Sequence, residues 1–230
     1  MNDQPASAII AAYFDFIRNR GFPCVAAKAA LSENRIKALV AEHLACTNDD
    51  AVILQFLYDF VEVYRSSTEL YHSAVIIFKG PGNCGEEMFE SMLWQRLQAI
   101  SDLDAKRHSW DRRVASAASS PDFSFSIREE AFYVIGLHLN SNRKARQFQY
   151  PALVFNPHEQ FERLRASNKY IPMKQTVRKR DMEFSGSVNP MLADFGESSE
   201  VFQYSGVQHD STWKCPFVAK HENSKRHSGS

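Results

Sequence analysis

Ala131-Phe132-Tyr133-Val134-Ile135-Gly136-Leu137-His138, followed after a polar turn by Ala152-Leu153-Val154-Phe155, decides the reading of the fold. Both runs are short, rich in β-branched and aromatic residues, and bounded by turn formers, which predicts two strands. Ser73 to Lys79 is continuously apolar, as a strand buried on both faces should be, and Gly80-Pro81-Gly82-Asn83 breaks it. Phe123-Ser124-Phe125-Ser126 alternates, predicting a half-buried strand.

Around these strands the apolar residues follow a helical period. Ile9/Ile10, Tyr13/Phe14 and Phe16/Ile17 give one face of a helix over Ser7–Arg20, which Gly21 stops and Pro23 prevents from continuing. Cys24 therefore sits at a forced change of direction, and Val25 to Leu31 can begin a short helix or strand. Ser32 is an N-cap candidate for a helix to about Ala45. Thr47 and Asp50 resemble a capping box for a helix through Tyr64 with a stripe of Ile53, Leu57, Phe60 or Val61, and Tyr64. A helix from Gly85 to Leu103 would bury Met88, Met92, Leu93, Leu97 and Ile100. Asp104 to Pro121 reads as a solvated connector, Glu159 to Ala166 as a helix, and everything beyond Lys169 as weakly periodic. The expected class is α+β: N-terminal helices packed on a small mixed β-sheet, with a long irregular C-terminal segment. One domain is expected over 1–219, with a flexible tail over 220–230.

Composition narrows the function classes. The chain has 230 residues, 44% of them hydrophobic, and Lys+Arg and Asp+Glu each total 27, so net charge draws it neither to nucleic acid nor to an anionic membrane. No apolar run reaches the roughly 18–20 residues of a membrane span, and Met1-Asn2-Asp3-Gln4-Pro5 lacks the start of a signal peptide. A cytoplasmic protein is expected. Cys24, Cys46, Cys84 and Cys215 form no CxxC pair, which argues against a disulfide framework or a structural zinc site.

Three motif lookalikes carry no function. Gly80-Pro81-Gly82-Asn83-Cys84-Gly85 lacks the Lys-Ser/Thr of a P-loop. Asp194-Phe195-Gly196 spells the kinase metal-binding triplet without the motifs that should precede it, and no GxSxG elbow marks a nucleophile. What remains is His138 and His158 at the exits of two apolar segments, with Arg143 and Arg146 in the turn between them. That is how a site for an anionic cofactor can be assembled.

The motifs Phe132-Tyr133-Val134-Ile135-Gly136-Leu137-His138, Arg143-Lys144-Ala145-Arg146, Leu153-Val154-Phe155-Asn156-Pro157-His158-Glu159-Gln160-Phe161-Glu162, Asn189-Pro190-Met191-Leu192, Asp194-Phe195-Gly196-Glu197, Gln203-Tyr204-Ser205-Gly206 and Cys215-Pro216-Phe217 are jointly similar to the YqcI/YcgG family. With Phe22-Pro23-Cys24-Val25 and Ala27-Lys28 the likeness covers nearly the whole chain. Within that family the chain resembles the guanitoxin-pathway branch, heme-dependent N-hydroxylases that act on guanidine groups.

The resemblance implies heme b, dioxygen as co-substrate, an external reductant supplied by a separate reductase, and a small guanidino substrate such as arginine. The residues can be matched to those needs. A thiolate axial ligand favours O–O cleavage, which makes Cys24 a candidate iron ligand. His158, and then His138, are the imidazole candidates, with His138 also a possible distal donor. Arg143 and Arg146 offer planar forks for propionates or a substrate carboxylate. Asp194 and Glu197, with Glu200, are the acidic group expected to orient a guanidinium. The competing roles are structural: a buried thiol for Cys24, helix packing for His158, a solvated basic turn for Arg143 and Arg146, and an exposed acidic loop for residues 194–200. A non-catalytic heme carrier or sensor, with both axial positions filled, is the competing function.

Overall fold

The computed structural model describes residues 4–187, 197–210 and 212–221. The chain runs through α1 (Ala6–Arg18), α2 (Val25–Ser32), β1 (Ile36–His43), α3 (Asp50–Arg65), β2 (Ser73–Gly80), α4 (Glu86–Asp104), β3 (Phe125–Ile127), β4 (Glu130–Leu137), β5 (Ala152–Pro157), α5 (His158–Ala166), α6 (Tyr170–Ser185) and α7 (Val201–Tyr204). Among the described residues five strands form one mixed sheet in the order β1-β2-β5-β4-β3. The β1–β2 pair is parallel and the other three pairs are antiparallel. The class is α+β, as expected.

Alternation along the central strands divides the core into two layers. From β2, Ala74, Ile76 and Phe78 point to the face covered by α3 and α4, where they meet Leu57, Phe60, Phe89, Leu93 and Leu97. Val75 and Ile77 point to the other face, where Val154, Leu137, Ile9, Tyr13 and Ile17 form a second cluster under α1. A side chain at Gly136 would come within 2.6 Å of the Phe89 ring, so glycine there lets α4 lie close on β4.

Several expectations are corrected by this arrangement. Ile36–His43 is a strand and not the helix that Ser32 was to cap. Its parallel pairing with β2 outweighs the helix-forming Ala, Leu and Glu in it. The predicted stripe at Ile53, Leu57, Phe60, Val61 and Tyr64 is buried, but Thr47 lies in a short 3-10 turn, and the N-cap position of α3 falls to Asp49, which makes no side-chain cap bond. On α4, Met88 is exposed and Phe89 takes the core position beside it. The Asp104–Pro121 connector is irregular yet carries buried anchors. Trp110 packs among Phe123, Phe125 and Phe217, and buried Asp111 pairs with Arg113.

The segment beyond Lys169 is also more regular than expected. Residues Tyr170–Ser185 form the 16-residue α6. The chain then returns along α4: Gln98 and Val218 exchange two hydrogen bonds of 2.9 Å, Lys220 pairs with Asp102, and His221 lies 2.9 Å from buried Asp104. The rest of the expected tail, 222–230, lies outside the described residues. Among the described residues no helix is long and apolar enough to cross a membrane.

Candidate functional site

A cavity of about 280 Å³ opens on the α1–α2 face of the sheet, close to the lower end of the roughly 300–1,000 Å³ usual for small-molecule sites. Register places its floor. Tyr133, Ile135 and Leu137 of β4 pair with Asn156, Val154 and Ala152 of β5, and all of these except Ala152 line the cavity. The walls come from Tyr13, Phe16 and Phe22 near the N-terminus, from Phe161 of α5, and from Tyr170, Met173, Lys174, Val177 and Asp181 of α6.

Five of the residues singled out from the sequence line this one cavity: Cys24, His158, Arg143, Arg146 and Glu200. Cys24 caps α2, its sulfur accepting the Ala27 N–H at 3.4 Å. Burial pushes the thiol pKa up, while the Ala27 and Ala26 amides pull it down. Such a thiol is protonated when alone. A bound metal ion would deprotonate it, and the two amides would stabilise the resulting thiolate.

The imidazole of His158 begins α5 between two carboxylates. Its Nε2 lies 3.3 Å from Glu162 Oε1 and its Nδ1 3.6 Å from Glu200 Oε1. A metal at either nitrogen would compete with the carboxylate beside it, whereas a Cys24 thiolate would keep the amide contact it already accepts.

Arg143 pairs with Asp181 and donates to the Ser187 carbonyl at 3.1 Å. Arg146 is buried and is engaged by backbone carbonyls: Gly136 at 3.4 Å, Tyr204 at 3.0 Å and Gln203 at 2.6 Å. Its guanidinium thus closes the end of α7, in place of the carboxylate partner the sequence suggested. Burial and the nearby Arg143 lower its pKa.

The remaining expectations fall elsewhere. His138 does not line the cavity; its ring stacks on Phe89 with centroids 4.3 Å apart. Glu197 is exposed and absent from the lining, and Asp194 lies outside the described residues. Of the expected acidic group it is Glu200 that enters the site, buried and held by Ser124 Oγ at 2.9 Å and Tyr204 OH at 3.3 Å. Sequence reasoning missed Asp181, Arg165, Lys174 and Tyr133 as lining residues. For those on α6 the signal was present, because Tyr170, Met173, Lys174, Val177 and Asp181 recur at helical spacing.

Fold and site together define an α+β chain with an apolar, small-molecule-sized cavity bearing a thiol, an imidazole, arginines and buried carboxylates. The chain belongs to the YqcI/YcgG family, whose model matches residues 13–218. It is 22% identical over 209 residues to the uncharacterized protein YqcI of Bacillus subtilis (strain 168), covering 88% of this chain and 77% of that protein. No solved structure matches it.

Proposed function

We propose that the cavity is a heme site and that the protein is a heme-dependent monooxygenase, hydroxylating a guanidine nitrogen of arginine or a related guanidino compound with dioxygen and two electrons from a separate reductase. The observation that carries the reading is the convergence of Cys24 and His158, far apart in the chain, on one apolar cavity that also holds arginines and carboxylates. The donor set meets what heme requires: a strong axial ligand, cations for the propionates and an apolar enclosure. Heme, when bound, would supply the oxidising iron. Cys24 is the better ligand, for the reasons of hydrogen bonding given above, and Arg143, Arg165 and Lys174 are the cavity-lining cations for carboxylates, Arg146 being committed to the carbonyls of β4 and α7. A guanidinium needs a buried counter-charge, and Glu200 provides a carboxylate at the cavity wall, Asp181 being paired with Arg143.

A heme carrier is the second reading, because two ligand candidates line the same cavity and both could hold the iron. The test is spectroscopic. Heme-reconstituted protein should show a Soret band, and after reduction its carbon monoxide complex should be strongly red-shifted, the mark of thiolate. Cys24→Ala should remove that signature while His158→Ala retains it. No Soret band would sink both heme readings, and failure to bind carbon monoxide would favour the carrier. Arginine incubated with oxygen and a reductant should gain the mass of one oxygen.

A further inference from the structure

We propose that α6 and the α1–α2 turn form a docking face for an acidic electron-donor protein. The inference rests on the heme reading above and adds where, and to what kind of partner, the chain presents itself. In a chain with balanced charge, residues 163–180 hold seven Lys or Arg and no Asp or Glu. Lys169, Lys179 and Arg180 are exposed. The ion pairs on this side are Arg18–Asp15, Arg165–Glu162 and Arg143–Asp181, and among the described residues Arg20, Lys169, Lys179 and Arg180 form none. The nearest acid on the outer face of α6 is Glu183.

The turn between α1 and α2 continues the patch. Phe184 of α6 packs on Gly21, where a side chain would come within 2.5 Å of its ring. Beside that contact Arg20 is exposed, and Lys28 donates its ammonium protons to the Asn19 and Arg20 carbonyls at 2.8 and 3.1 Å. Cys24, the candidate iron ligand, sits in this same turn, its carbonyl accepting the Lys28 N–H at 3.2 Å. An electron arriving here would enter within one helical turn of the ligand, while the inner face of α6 already walls the cavity.

The chemistry of the face favours a protein over a lipid surface. The exposed apolar side chains of α6, Ile171 and Met182, lie on one flank of the helix and the exposed Arg180 on the other, beside the α1–α2 turn, so the face itself is charged. Weak redox encounters between proteins are small and steered by complementary charge. A membrane-surface helix needs a broad apolar face. The inner residues of α6 are instead committed to the cavity.

A plant-type ferredoxin, a small and strongly acidic one-electron donor, is the probe. Heme-reconstituted protein should bind it in titration calorimetry and be reduced by it, both weakening about tenfold or more between low and high salt. The double variant Lys179→Glu/Arg180→Glu should lose at least that factor at low salt. Lys106→Glu/Arg107→Glu, the same charge change at the end of α4 beyond the opposite sheet face, should not. Dithionite reduction and the Soret band should be unchanged in both. Salt-insensitive or absent ferredoxin binding, equal losses in the two variants, or binding only to phosphatidylserine vesicles overturns the docking face. If no Soret band forms at all, the heme reading fails, whatever ferredoxin does.

Discussion

Arg146 keeps a charge inside the protein with no carboxylate at ion-pair distance among the described residues, and its carbonyl contacts explain how. It spans the Gly136 carbonyl of β4 and the Gln203 and Tyr204 carbonyls of α7, while Gly206 approaches its side chain so closely that a Cβ would meet Arg146 Cδ at 2.9 Å. Arg146→Met should therefore cost about 2–4 kcal/mol, because it leaves buried acceptors unpaired. Arg146→Lys should recover less than half, since an ammonium cannot reproduce the planar fork. Urea unfolding measures both, and a Met variant as stable as the parent would rule out the clamp. The Asn140–Arg146 turn was legible as a concentration of donors. Their acceptors were not, because α7 lies more than fifty residues further along the chain.

At the scale of elements, legibility followed how strongly each segment's own pattern agreed with its tertiary surroundings. Strands β2, β4 and β5 are β-branched and central, so propensity and burial point the same way. By contrast, β1 lies at the sheet edge with only Ile36 and Ala41 buried, too little alternation to outweigh its helix-forming residues. Helix α6 is polar around most of its circumference, with Asp181 alone buried, and its apolar stripe has meaning only once the cavity is known. That stripe also gives a test. Since the cavity volume is near the lower limit for a small ligand, a macrocycle is expected to displace α6, whose residues form one wall. Amide exchange in 170–185 should change on heme binding, while β2 and β5 stay protected. Unaltered exchange in α6 would mean that heme, if bound, sits elsewhere.

For the whole molecule, the buried histidines couple stability to acidity. His138 lies beneath Phe89 on the α4 side of the sheet, and its pKa is pushed down to about 4 by burial and by Arg146, against an opposing pull from the Cys84 backbone. His72 is shifted the same way, by burial first and then by Arg35. In the unfolded chain a histidine takes up its proton near pH 6.5. Between about pH 6.5 and 4 the unfolded state thus binds more protons than the folded one, and stability rises with pH. The contribution of a neutral His138 is complete above about pH 6.5 and is lost progressively as pH falls toward 4. Moving from pH 7 to pH 5 should cost on the order of 2 kcal/mol from this residue. Urea denaturation of the parent and of His138→Gln at the two pH values isolates it. The variant, whatever its absolute stability, should lose less on acidification by about that amount, and equal losses in the two proteins would show that the His138 imidazole is already protonated in the fold at pH 5.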